Sequence, residues 1–275
     1  MWVAREAGTV TDETVTLRRP GWFRRHRSEI LLAPIVLIAV VLLWEGLVRW
    51  RDYPAFILPS PFVVLRRFIV VLLDGTLWYH ASSTLWEIIA GLVLGMGTAT
   101  VMGYLIAKSP RLERVLSPYL VAAQAVPVIA IAPLLIIWVR SPELNKVLIC
   151  AITVFFPTLI NTVVGVRSIE PDLLALMQSL RASRWQILTK LEVPGALPIY
   201  FGGLKIGVTL AVIGAVVAEF IGANRGLGYL INLSRGILDT PLLFVALASL
   251  VVFAVLLYGL VSLLEHRLLA WRRIE

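Results

Sequence analysis

Cysteine, histidine and charge are all scarce in this 275-residue chain. A single thiol, Cys150, rules out an intrachain disulfide framework. Set within an apolar run, it reads as a packing residue. His26, His80 and His266 lie far apart and show no metal-ligand spacing. None of the four lysines (Lys108, Lys146, Lys190, Lys205) follows a glycine, so the G-x-x-x-x-G-K-[ST] loop that cradles nucleotide phosphates is missing. The chain is therefore not expected to be an enzyme that uses ATP by itself. Gly95-Met96-Gly97 and Gly226-Leu227-Gly228 lack the preceding strand and further glycine of a dinucleotide site. No nucleophile–base pair falls at a shared depth, and no internal repeat or low-complexity segment is visible. Charged residues make up only 15%, against about 25% in soluble domains, and no polar stretch is long enough to build such a domain.

What is present is hydrophobic: 59% of residues, with a mean hydropathy of +0.88. This predicts an all-α integral membrane protein. The net charge of +8 fits basic residues at membrane flanks, and no nucleic-acid partner is expected. With about 20 residues needed per crossing, six spans are expected: Ile30–Val48, Ser82–Ala107, Val115–Val139, Val147–Val166, Pro198–Ile221 and Leu242–Leu264. The first follows Arg18, Arg19, Arg24, Arg25 and Arg27, but it is too long for a signal-peptide core and should remain as a span. Pro118, Pro127 and Pro133 interrupt the third, which must be kinked or broken. Lys and Arg favour one side roughly two to one, placing both termini and the loop after the fourth span in the cytoplasm.

The expected organisation is a cytoplasmic tail (1–28), weakly ordered over residues 1–20, then the first span with an outer interfacial helix (29–81), then a core (82–275) carrying a cytoplasmic loop at 167–197. Phe62–Leu73, with Arg66 and Arg67 among apolar residues, is the interfacial helix. Trp44, Trp50, Trp78, Trp86 and Trp271 read as interfacial anchors, and Glu45 and Glu87 as span-end residues.

The loop is the most informative segment. Pro171 suits the first position of a helix, flanked by Glu170 and Asp172. Leu173, Leu176, Met177 and Leu180 recur at helical spacing. Ser183-Arg184-Trp185-Gln186 has the S-x-x-Q form of a capping box. Ile187, Leu188 and Leu191 give the second helix an apolar face, and Pro194 and Pro198 should end it. The expectation is helix, sharp bend at Arg181–Ser183, helix. An ordinary connector lying on lipid would look similar, but a long loop with its own helices is more often functional. Arg181, Arg184 and Trp185 are residue types favoured in protein contacts.

This loop resembles the ATPase-docking motif of binding-protein-dependent ABC importer permeases, E-A-A, three residues, Gly, and later I-x-L-P. Ala175-Leu176-Met177 stands in the E-A-A place, Arg181 in the Gly place and Leu191-Glu192-Val193-Pro194 in the I-x-L-P place; the motif's Glu and Gly are absent. Flanking stretches extend the likeness: Phe155-Phe156-Pro157, Asn161-Thr162, Gly165-Val166-Arg167-Ser168, Ala182-Ser183-Arg184-Trp185-Gln186, Pro198 and Gly226-Leu227-Gly228-Tyr229-Leu230-Ile231. Residues 57 to 270 resemble the permease group serving taurine, alkanesulfonates, nitrate, and thiamine or riboflavin precursors. Gln124–Pro133 is most similar to the vitamin-precursor members, while Val139-Arg140-Ser141-Pro142 departs from the family's Phe-Gly-x-Gly.

The resemblance implies a type I ABC importer permease fold working as a homodimer in the bacterial inner membrane. Two cytoplasmic ATPase subunits would hold ATP and Mg, and an extracytoplasmic binding protein would deliver a small organic solute. Ser179, Leu180, Arg181, Ala182, Ser183, Arg184 and Trp185 would dock in the ATPase groove. Polar residues inside spans are costly against lipid and mark a pathway. Gln124 and Pro127 at the broken span, with Asn161, Lys205, Thr209 and Glu219, are the candidates. Snorkelling (Lys205, Glu219) or interhelical bonding (Asn161) would explain the same residues without a solute. The glycines Gly91, Gly95 and Gly103 point to close helix packing. The competing class is an ion-coupled secondary transporter, which would show an inverted repeat and paired carboxylates deep in the membrane.

Overall fold

The computed structural model describes residues 22–270, with side chains from residue 34 onward, and its regular elements are helical. The expected tail at 1–20, the side chains of the N-terminal arginines and Trp271 lie outside the described residues. The chain divides into two units. The first, Met1–Asp52, holds α1 (Trp22–Arg51), where Glu45 pairs with Arg49 at 2.6 Å. The expected span Ile30–Val48 falls within this helix.

The second unit, Tyr53–Glu275, begins with α2 (Pro61–Leu73), started by Pro61 and capped by Ser60. Then come α3 (Thr76–Lys108), α4 (Pro110–Gln124), α5 (Val128–Trp138) and α6 (Pro142–Arg167). After the loop helices α7 (Pro171–Ser179) and α8 (Arg184–Ile187) follow α9 (Val193–Gly222), α10 (Leu227–Gly236) and α11 (Thr240–Leu268). Among the described residues, α3, α6, the continuous stretch Arg184–Gly222 and α11 are long and apolar enough to cross a membrane. The pair α4 and α5, bent by 93°, makes a fifth crossing if it is one broken span.

The proline expectation resolves into a single break. Pro127 stands at the bend as the residue before α5, while Pro118 and Pro133 are absorbed inside α4 and α5. The other helices overrun the expected spans at both ends, and this moves two charges inward. Lys146, which falls between the third and fourth expected spans, lies in the second turn of α6 and is buried. Glu87, expected at a span end, sits about three turns inside α3 and is also buried.

Within lipid, helices associate through close approach and interhelical polar contacts. The glycine stripe of α3 supplies the first: a Cβ on Gly91, Gly95 or Gly103 would come within 2.3, 2.5 and 2.8 Å of Cys150, Ala151 and Thr162 of α6. These contacts run in the same chain order on both helices, so α3 and α6 are parallel. Gly203 against Asn161 and Gly214 against Cys150 run in opposite order, making α9 antiparallel to α6. Ile88, Cys150, Val154, Ala215, Leu230 and Val245 form the central core, and Cys150 is a packing residue as expected. Helix α2 is tied to the start of α11 by Arg67 on Asp239 (2.6 Å), and the segment before α2 by the Thr240 hydroxyl on the Phe56 carbonyl (2.6 Å).

Candidate functional site

The loop folds as its capping residues dictate. At the end of α7 the Ala182 amide reaches back to Met177 O (3.0 Å) and the Arg181 amide to Gln178 O (2.9 Å). This pair of bonds is a Schellman closure, which places Arg181 at the position that adopts the left-handed conformation, with φ +53°. The motif's Gly place is thus a backbone requirement, and arginine meets it at a cost of roughly 1 kcal/mol. Two residues later Ser183 opens α8. Its hydroxyl accepts from Gln186 N (3.2 Å), and the Gln186 side chain accepts from Ser183 N (2.7 Å). The bend at Arg181–Ser183 is therefore set by backbone bonds and two uncharged side chains. Leu180 is 69% and Trp185 70% exposed, with the exposed Arg181 and Arg184 beside them. Arg181→Gly should relieve the strained φ and slow hydrogen exchange of the Ala182 amide about fivefold; an unchanged rate would show that the closure is not strained.

Pro194 and Pro198 do not end the second helix. Instead α8 passes through one π turn, Leu188–Glu192, in which Val193 N–H bonds to Leu188 O, five residues back. Because the π turn already shifts the bonding pattern there, the amide that Pro194 lacks is not missed and the helix continues into α9.

The pathway candidates are dispersed. Gln124 and Pro127 stand on either side of the α4–α5 bend, where Gln124, Val126, Val128, Phe156 and Pro157 line a cavity of about 150 Å³. Asn161, one turn beyond Pro157, donates to the Pro157 carbonyl (2.8 Å) and packs on Gly203. On α9, the exposed Thr209 bonds back to Lys205 O (3.2 Å). Lys205 itself holds Glu265 of α11 at 2.5 Å, with its amine 5.7 Å from the Tyr258 ring centre.

Glu219 stands apart from these in a buried cluster not foreseen from sequence. It is 1% exposed; Oε1 accepts from the Thr84 hydroxyl (2.6 Å) and Oε2 from the Gly228 amide. Thr84 in turn accepts from Leu227 N (2.7 Å), and His80 Nδ1 from Gly226 N (3.0 Å). The amides that open α10 are thus satisfied by side chains of α3 and α9. Gly226, at φ +124°, has no room for a side chain, since a Cβ would lie 2.1 Å from Glu219 Oε1. Beside this lies Glu87, also 1% exposed, which pairs with Lys146 and accepts from Ser83 (3.1 Å). Two carboxylates do meet inside the spans, the feature named above for an ion-coupled transporter. Here they tie α3, α6, α9 and α10 together through protein donors. The legible signal was Glu87 and Lys146 flanking a glycine-lined helix contact, since charges inside spans seek partners.

Comparison with known proteins agrees with this architecture. The family profile described as binding-protein-dependent transport system inner membrane component matches residues 91–270, from the middle of α3 past the end of α11. The riboflavin transport system permease protein RibX of Chloroflexus aurantiacus is 46% identical over 248 residues, covering 90% of this chain and 92% of that protein. The formylaminopyrimidine transport permease protein ThiX of Halalkalibacterium halodurans is 34% identical, over 90% of this chain and 98% of that protein. The taurine transport system permease protein TauC of Escherichia coli is 29% identical, over 94% and 96%. Among solved structures, the inward-facing MetNI methionine ABC transporter shares the fold, with a TM-score of 0.59 at 17% identity over 73% of this chain and 97% of that one. A helical core held by buried polar ties, the capped loop and these matches have one common explanation: the chain belongs to the binding-protein-dependent ABC importer permeases, as a multi-pass transport subunit of the inner membrane.

Proposed function

We propose that this permease carries a small organic solute of the vitamin-precursor class, a flavin or a pyrimidine, from a solute-binding protein into the cytoplasm. Supporting the solute class is the 46% identity to a riboflavin permease, against 29% to a taurine permease. Two copies of the chain would each contribute six spans, with α1 as the first, and both termini would be cytoplasmic. ATP and Mg would bind on two partner ATPases. The observation that carries the coupling reading is the loop: a backbone-locked bend presents Leu180, Arg181, Arg184 and Trp185 outward, with Ser179, Ala182 and Ser183 forming its frame. For the solute, the bend at Gln124–Pro127 offers freed backbone groups, with Asn161 nearby and Thr209 on an exposed face of α9. Lys205 and Glu219 enter the pathway only by exchanging their present partners.

The test is reconstitution of this chain with its ATPase and binding protein in liposomes. ATP-dependent uptake of labelled riboflavin, competed by unlabelled flavin or by formylaminopyrimidine, is expected. Competition by taurine, an alkanesulfonate or nitrate instead would reassign the solute. Uptake by the chain alone under an ion gradient would overturn the ATP-driven mechanism.

A further inference from the structure

Residues Arg184–Gly222 form one helical path, so whatever displaces α8 also displaces the foot of α9. One side of the foot lines an open pocket of about 370 Å³, whose lining includes Thr100, Val101, Thr162, Val166, Leu188 and Ala196. Side chains that face this pocket have no protein neighbour on that side within the chain, so polar ties take a larger share in fixing the foot against α3.

The tie here is Glu192, the last residue of the π turn. It is only 3% exposed. Tyr104 Oη donates to its Oε2 at 2.9 Å, and Lys108 Nζ pairs with Oε1. Both partners lie in the last turns of α3, and two turns further along α9 the Tyr200 hydroxyl meets that of Thr100 (3.1 Å). The far ends of the same two helices are joined by Thr84 and Glu219. Helix α3 is thus held to α9 by side-chain bonds at both ends, and at the end nearer α8 the ionic tie runs through one buried carboxylate.

We propose that Glu192 is a positioning residue for energy coupling: through Tyr104 and Lys108 it binds the foot of α9 to α3, so that a displacement of α8 moves both helices together. This rests on the reading of α8 as the ATPase-docking element. The π turn fits such a role, because it lets the path bend at one place without breaking its backbone bonds. The carboxylate decides which neighbouring helix follows that bend. Discrete rearrangement of a packed interface then carries the motion to the opposite end, where α3 meets α9 and α10.

The experiment uses the complete transporter in liposomes and reads solute uptake per ATP hydrolysed. In Glu192→Ala the ATPase should stay attached and hydrolyse ATP, while uptake per ATP falls about tenfold. Glu192→Gln keeps an acceptor for Tyr104 and should stay within about threefold of the native ratio. A purely structural role predicts that amount, melting temperature and both activities fall together while the ratio stays constant; that result, or a native ratio in Glu192→Ala, overturns the proposal. Should Glu192→Ala fail to accumulate, Tyr104→Phe with Lys108→Met reads the same ratio, and an unchanged value is equally fatal. Charge reversal at Arg181 and Arg184 separates the two readings. If it leaves ATPase attachment intact, the docking assignment fails; if it detaches the ATPase while Glu192→Ala keeps its ratio, only the role of Glu192 fails.

Discussion

Reversing the charge at both Arg181 and Arg184 is expected to detach the ATPase from the permease and abolish ATP-driven uptake without unfolding the loop. Arginine and tryptophan dominate the energetics of protein contacts, and truncating such a residue at the centre of an interface commonly costs about 2–4 kcal/mol. Replacing two guanidinium groups with carboxylates adds like-charge repulsion wherever the partner surface is acidic. Affinity should therefore fall by at least about a hundredfold. The loop itself should survive, because its bend is closed by the Ala182 and Arg181 amides and by the Ser183–Gln186 box, none of which uses a guanidinium. Co-purification measures the loss, and limited proteolysis of the loop checks that its fold is unchanged. Undiminished ATPase attachment in the double variant would remove α8 from the interface and with it the proposed mechanism.

A second large effect is expected at the opposite end of the bundle. Lys146→Met leaves Glu87 with no cation, beside Glu219, in a region where both carboxylates are almost wholly buried. Breaking a buried pair by removing one partner typically costs about 3–5 kcal/mol, because an uncompensated charge remains. Removing both charges, in Glu87→Gln with Lys146→Met, should recover most of that loss. Thermal unfolding in detergent would follow both variants. A double variant as unstable as the sum of its single changes would mean that the two groups do not act as a pair.

The outcome of the two sites shows which signals travel in a linear sequence. The loop was legible because its determinants are local. A proline and acidic residues open α7, and S-x-x-Q opens α8; each rule involves residues within one turn. The meaning of Arg181 was only half legible. Its place in the motif was visible, but the left-handed φ appears only once the Schellman bonds are drawn. The buried cluster was only partly legible, for a different reason: a charge near a span signals that a partner is needed, not which one. The apolar run begins at Ser82 and so puts Glu87 at a span end, whereas α3 starts at Thr76 and carries Glu87 into the bundle. Its partners Lys146 and Glu219 lie 59 and 132 positions away, beyond the reach of any local pattern. Helix α10, likewise, has amides that are satisfied only by residues of α3 and α9.

Composition and periodicity were enough to establish a helical membrane protein, an interruption of the third span by its prolines, the glycine-lined approach of α3 and the bend before Ser183, since each follows from the backbone needs of a few neighbouring residues. Three matters were decided only by tertiary structure: that Pro194 lies within a continuous helix, that Glu192 reaches α3, and that two glutamates share a buried site with one lysine. The reason is physical. Proline and glycine act through local sterics, whereas a charge within a span takes its role from whichever distant helix brings it a partner.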